Sequence, residues 1–554
     1  MKSCKYPMKG LCFRSENNLV KKASLLIRNG RIYTVDKRRS RAEALAVHDG
    51  RIIFVGTNEQ AEDFTGPDTR IVDAKGRMVL PGFIDSHVHY ASGYMEASWV
   101  ELSSASSLDD IFEMTSEHAR KHPGHRLVGG FGWEYEAAQS KGKLPTKEDL
   151  DGIVSDRPVL LISYDAWTGL ANSRFIELAV EALRKRSSTL GDMERDPDTG
   201  EPTGVFYDPY DLAYMGGSVS ELIRENELEG LREVIGQANR VGITSIHEAQ
   251  ADVRDLEAFQ QLRSEGALNV RVHNALYHHR ETKEEDLARF KELRSRYSDE
   301  WIKAGAVKLF IDGVPESHTA AMLDAYSDRP STKGETKFEP KEFNDIVERF
   351  DRMGFQCLVH ACGDRGVRTA LDAYENAMNR NGRRDSRHRI EHIEIVSDQD
   401  IPRFKQLGVI ACVQPEYWEY APDAPYYLAF GSERMKRAYR LKSLLSAGAV
   451  LALSSDWFIA DINPLVGIQG AVSRGRGFGQ EQEISLADAI EGYTMNGAYA
   501  SFEEDVKGSL EPGKFADIVI LSEDLFEMPP DKISEAKVLM TILGGNEVYR
   551  SEEF

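Results

Sequence analysis

Cysteine is scarce in this 554-residue chain, and its five copies, Cys4, Cys12, Cys357, Cys362 and Cys412, form no Cys-x-x-Cys pair. No disulfide framework is suggested, and a reducing cytoplasm is the expected compartment. Long apolar runs are missing too: no stretch approaches the ~20 residues that a membrane-spanning helix needs. Met1 to Lys22 contains lysines but no continuous apolar region, so it reads as a loosely held tail and not as a secretory signal. Basic residues are in deficit, 69 against 90 acidic ones, for a net charge of -21. That balance argues against nucleic acid and against an anionic membrane surface, both of which call for a basic face. Internal repeats and low-complexity segments are also absent. What is present is 41% hydrophobic residues, enough for a large core, over a length that suggests two or three domains.

Short apolar runs separated by tight turns fill Ala23 to Leu80. Ser24–Arg28 meets Asn29-Gly30, and Ala44–His48 meets Asp49-Gly50 before Arg51–Val55; both dipeptides are hairpin signals. Strand-like runs return near the other terminus at Asp517–Leu521, Val538–Ile542 and Glu547–Tyr549. Neither end closes a core alone, so a small β-sandwich built from residues 23–80 and 501–554 is expected. Between them, apolar β-rich runs alternate with charged helical stretches, the pattern of parallel strands with crossover helices. The candidate strands are Gly82–His87, Ile243–His247, Val270–Leu276, Ala306–Ile311, Gln356–His360, Arg389–Ile393, Val409–Val413 and Val450–Ser454. Eight such strands close a barrel. The expected fold is therefore α/β: a (β/α)8 TIM barrel over residues 81–500. The segment of about 90–242 is too long for one crossover and reads as an insertion capping the barrel mouth.

His87 and His89 sit one residue apart at the end of the first of these runs. On an extended strand, residues i and i+2 point to the same face, so both imidazoles reach one point. His-x-His alone is weak, because surface histidines land at that spacing by chance. Its company strengthens it: Lys308, His360, His392 and Asp456 lie in or just after later strands. Barrel active sites lie at the C-terminal strand ends, so all six converge on one mouth.

The motifs carrying these residues are Leu80-Pro-Gly-Phe-Ile-Asp-Ser-His-Val-His89, Gly130-Phe-Gly-Trp133, Val307-Lys-Leu-Phe-Ile-Asp-Gly313, Val359-His-Ala-Cys-Gly-Asp-Arg365, His388-Arg-Ile-Glu-His392, Ser454-Ser-Asp-Trp457 and Gly508-Ser-Leu-Glu-Pro-Gly-Lys-Phe-Ala-Asp517. In this order they resemble the amidohydrolase superfamily. In detail they are similar to its amidohydrolase family 3 branch, which includes N-substituted formamide deformylases. The resemblance implies that His87, His89 and Asp456 bind one divalent metal and that His360 and His392 bind a second. It also implies that Lys308 bridges the two as a carboxylated lysine. Left unmodified, Lys308 would go with a single metal. Zinc is the first choice from the nitrogen-rich ligand set, with manganese and iron left open. The expected chemistry is hydrolysis of an amide C–N bond. A bound cation makes hydroxide available near neutral pH, and Asp456 carries the proton to the leaving amine. A helix N-cap is the plainer role for Asp456.

Trp133, Trp167 and Asp312 are candidate substrate contacts, each with an ordinary alternative as core residue or turn former. His247 is a candidate core histidine, and His278 and His279 are expected in solvent. Relatives often carry Asp-Gly-His before an Asn-Ser pair in the capping insertion, whereas this chain has Asp165-Ala166-Trp167 before Asn172-Ser173. Replacing a titratable contact with an indole favours a more hydrophobic substrate. The expected partner is thus a small amide, such as an N-substituted formamide. A homodimer is the assembly left open. A cyclic amide or lactam hydrolase, and a non-catalytic regulatory protein on the same fold, are the competing readings.

Overall fold

Phe83–Val88 (β1) is buried along its whole length, as a strand covered on both faces must be. Seven more strands follow it: Ile243–Ala251 (β2), Arg271–Tyr277 (β3), Ile302–Phe310 (β4), Gln356–Ala361 (β5), Arg389–His392 (β6), Ile410–Val413 (β7) and Val450–Leu453 (β8). In the computed structural model they form one eight-stranded sheet in sequential order, and each neighbouring pair is parallel. The model describes residues 21–554 apart from 186–192, 208, 210, 215–216, 280–281, 420–424 and 476–478. All but the last two residues of the expected tail, with Cys4 and Cys12, therefore lie outside the described residues. Helices cross between the strands, among them Val253–Ser264, Pro340–Arg352 and Asp364–Asn381. The fold is a TIM barrel.

The residues just after β8 close it onto β1. Asp456 N–H donates to His87 O (2.9 Å) and His89 N–H to Trp457 O (2.8 Å). Asp85 adds a side-chain tie, accepting from Ser455 N–H (3.1 Å) and Ser455 Oγ (2.6 Å). Two strands differ from the sequence reading by more than one residue at an end. β4 begins at Ile302 and β2 runs on to Ala251, which carries its last residues into the mouth.

The sandwich draws on both chain ends. One sheet has the order Arg51–Gly56, Ala44–His48, Leu25–Arg28, Arg70–Asp73. The other runs Asn546–Arg550, Val538–Leu543, Ile518–Leu521, Met78–Pro81, Arg31–Tyr33, Arg41–Ala42. Ile27, Leu45, Val47, Ile518, Ile520 and Ile542 fill the space between them. Asp49-Gly50 makes the expected hairpin, with φ of 49° and 73° and His48 paired to Arg51. Asn29-Gly30 does not. Asn29 has a left-handed backbone (φ 55°), but the turn passes the chain from one sheet to the other. Leu25–Arg28 pairs with Ala44–His48 and Arg70–Asp73 instead of with Arg31–Tyr33. The local turn signal is real; which strand pairs with which is decided by the two inner faces.

The insertion contributes a six-stranded sheet in the order Met193–Arg195, Pro202–Tyr207, Thr168–Ala171, Val159–Ser163, Val128–Trp133, Val100–Glu101. Its turn from Ser163 to Thr168 brings Tyr164, Asp165, Ala166 and Trp167 to the barrel mouth.

Barrel and sandwich are pinned by a buried ion pair. Arg271, on β3, gives two hydrogen bonds to Asp517 (2.8 and 3.2 Å) and lies 3.8 Å above the Phe515 ring. Asp517→Ala would strand the buried guanidinium and is expected to cost about 3–5 kcal/mol. Urea denaturation of the variant checks this, and an unchanged midpoint would show that the pair does not join the two parts.

Candidate active site

All six sequence candidates meet at the C-terminal rim. Asp456 Oδ1 lies 3.4 Å from His87 Nε2 and 3.3 Å from His89 Nε2. Its other oxygen, Oδ2, lies 3.6 Å from His392 Nδ1 and accepts from Tyr417 Oη at 2.9 Å. Lys308 Nζ is 3.4 Å from His87 Nε2. The His392 ring sits 4.9 Å from that of His87 and 4.4 Å from that of His360, linking the two halves of the cluster.

Backbone geometry aims two of these groups. Along β6, Arg389 and Glu391 face the barrel interior, so alternation would send His392 outward with Ile390. His392 instead has φ 73°, and Ile393 after it φ 51°. This left-handed backbone, rare for a β-branched residue, swings the imidazole into the mouth. Asp456 is left-handed as well, with φ 59°. Strain gathers at the carboxylate and histidine that the chemistry would need.

A buried charged network stands behind the cluster. Glu391 Oε2 lies 2.5 Å from His87 Nδ1, which fixes that nitrogen as the protonated one and leaves Nε2 free to ligate. Arg389 holds Glu391 with Nε and Nη2 (2.9 and 2.7 Å), and also binds Ser86 O and His247 Nδ1. His247 therefore serves Arg389 and does not reach the cavity. Neither Arg389 nor Glu391 was singled out in the sequence, although the i, i+2 pair of opposite charges inside an apolar strand was the available signal.

Charge states follow from burial. It pushes His87 well below the ordinary imidazole range, lowers His89, and brings His392 down to about 4. For Asp456 burial works the other way, but the neighbouring histidines outweigh it and keep the carboxylate ionised. Burial also lowers Lys308, with Arg389 adding to the effect and Glu391 and Asp456 opposing it. Neutral imidazoles around an ionised carboxylate are what a divalent cation requires.

His87, His392 and Asp456 each present a donor atom within 4.8 Å of the others, so one metal position has a converging donor set. These residues fit a divalent metal. The His360 side is less convergent: its Nε2 contacts Gly313 O at 3.2 Å and Cys362 Sγ at 3.4 Å.

The cluster opens onto a cavity with about 90 Å³ of free space. Trp167 lines it, stacked on His360 with ring centres 6.2 Å apart. Gly313 permits this, since a Cβ there would lie 2.6 Å from Trp167 Cζ2. The other two proposed substrate contacts sit elsewhere. Trp133 is fully buried in the insertion core, and its Nε1 donates to Leu161 O (3.1 Å). Asp312 accepts from Ala321, Cys362 and Gly363 N–H (2.8, 3.1 and 3.0 Å), so it organises the loops beneath the cavity. His278, expected in solvent, is half-buried against Phe350, and burial brings it down to about 3.

The sequence profile of the amidohydrolase family matches residues 70–549. The chain belongs to that family. It is 33% identical over 545 residues to the protein LONG AFTER FAR-RED 3 of Arabidopsis thaliana, covering 95% of this chain and 92% of the relative. It is 26% identical to an N-substituted formamide deformylase of Arthrobacter pascens, covering 94% and 97% of the two chains. Among solved structures, an uncharacterized metal-dependent hydrolase from Pyrococcus horikoshii superposes with a TM-score of 0.72 at 27% identity, covering 91% of this chain and 99% of that one.

Glu391→Gln removes the charge that orients His87. Metal affinity is expected to fall about 10- to 100-fold in the folded variant. Competition with a zinc-chelating dye measures it, and wild-type affinity would refute the orienting role.

Proposed function

We propose that this protein hydrolyses the C–N bond of a small amide, with an N-substituted formamide as the leading substrate class. The observation that carries the reading is Asp456, whose Oδ1 is shared between His87 and His89 at the mouth of the barrel, beside a cavity. The metal-dependent hydrolase of like fold and the formamide deformylase among the relatives support it.

His87, His89 and Asp456 would hold one divalent metal, zinc by their chemistry, with His392, whose donor atom converges on those of His87 and Asp456, standing between it and a second site. His360, His392 and Lys308 would serve a second. A cation bound there supplies polarisation of the substrate carbonyl and a lowered water pKa, to roughly 7. The chain's own residues do the rest. Asp456 stays ionised and takes the proton of the attacking water. Tyr417 donates to its Oδ2 and holds the carboxylate in place for the transfer, while His392 Nδ1 is tied to Gln414 Oε1 at 3.1 Å. The same carboxyl then gives the proton to the departing nitrogen, which leaves as a neutral amine. Burial favours the neutral form of Lys308. A neutral amine can take up carbon dioxide, and the carbamate presents oxygens where an ammonium would present only donors.

A cyclic amide would meet the same groups. A non-catalytic role is the second reading, since the name of the plant relative states no reaction. Zinc content separates the two: less than about half an equivalent after supplementation favours the non-enzyme. A screen of N-formyl, N-acyl and cyclic amides with amine detection tests the reaction itself.

Asp456→Asn is expected to lower turnover by about 10²–10⁴-fold while the fold is kept. Retained activity in a steady-state assay would remove Asp456 from proton transfer. Lys308→Ala is expected to lose about one equivalent of metal, with partial rescue by short carboxylic acids. Unchanged stoichiometry by metal analysis would count against the bridge.

A further inference from the structure

Three carboxylates unused by this mechanism line the same cavity: Asp165 from the insertion, Glu316 from the loop after β4, and Glu394 just past β6. Asp165 accepts from Trp167 N–H and Tyr135 Oη, both at 3.0 Å, and from Ser163 Oγ. Glu394 accepts from Tyr439 Oη at 3.2 Å. Among the described residues, no basic side chain forms an ion pair with any of the three, and Glu316 has no side-chain partner. Burial, reinforced by Glu394 and Asp165, pushes the Glu316 carboxyl well above its usual range. None of the three carboxylates is ion-paired among the described residues, and a cation brought by a ligand would relieve their mutual repulsion.

Two further observations point to a ligand. First, the remaining wall is aromatic, with Trp167, Phe310, Tyr164 and Phe458. These faces already draw a cation: Lys337 Nζ lies 4.5 Å from the Trp167 ring centre and 5.1 Å from that of Phe310. Second, the Gln250 amide, 1% exposed, reaches the cavity wall with Nε2 unpaired. It offers a donor for an acceptor such as an amide carbonyl.

We propose that the cavity selects amides whose amine portion carries a second, cationic nitrogen on an alkyl or aromatic carrier, received by Glu316 and Asp165 between aromatic faces. The inference rests on the amidohydrolase reading and narrows it. It also revises the substrate suggested by Trp167 alone: the carrier is apolar, but its far end is charged.

The test uses the zinc-loaded full chain and three para-substituted N-benzylformamides, bearing aminomethyl, methyl or carboxylate. The aminomethyl compound is expected to exceed the methyl one in kcat/KM by about ten-fold, with the carboxylate last. Glu316→Gln should flatten that ranking without changing zinc content. Equal rates, a preference for the carboxylate, or loss of zinc from the variant would overturn the inference; loss of zinc would mean that the acidic wall balances the metal instead. If none of the three is hydrolysed, the formamide reading fails, and binding still decides the inference. By calorimetry, benzyltrimethylammonium, which cannot ligate zinc, should bind Glu316→Gln about ten-fold more weakly than wild type. Equal binding refutes the site.

Discussion

Of the two backbone hydrogen bonds that join the segment after the last barrel strand to the first, one runs from Asp456 N–H to the carbonyl of His87. The two residues that close the cylinder are also two of the site's central groups. Closure and assembly of the site are therefore one event. The Ser455–Asp85 contacts strengthen the seam, and burial brings Asp85 up to about 7. An aspartate in an apolar strand would be an expensive core residue. Here its lone pairs are met by the segment that carries the proposed general base.

Behind that seam the barrel axis is polar. Arg389, Glu391, His87 and His247 form a connected set with no exposure to solvent. Such a set confers little net stability against well-packed apolar residues. Its value is positional, because each member limits the rotation of the next. His87 cannot turn its ring without breaking the contact to Glu391, and Glu391 cannot move without abandoning Arg389. The site thus rests on fixed elements, while the cavity walls come from loops and from the insertion.

The barrel was legible because its strands are apolar, evenly interrupted by helices, and few enough to count. The six rim residues were legible because barrel topology turns sequence order into spatial convergence. The limits have physical causes. Asn29-Gly30 encodes a turn, but a turn does not say which sheet receives the next strand. The left-handed backbone at His392 breaks strand alternation, which periodicity cannot foresee. Trp133 and Trp167 have the same side chain in one insertion, yet one ends in a core and the other against His360; the difference lies in long-range packing. Glu316 and Glu394 are unremarkable as letters and become a pair only across the cavity.

Met78–Pro81 runs through Gly82 straight into β1, so the strand bearing His87 is the continuation of a sandwich strand. Pairing for that sandwich strand comes from Ile518–Leu521, which in turn pairs with Val538–Leu543. These partners are translated long after the strand they support. During synthesis the opening histidine motif must wait, anchored on one side only, for more than four hundred residues to emerge. A polypeptide interrupted anywhere before that point has every rim side chain up to the break and no finished platform to hold them.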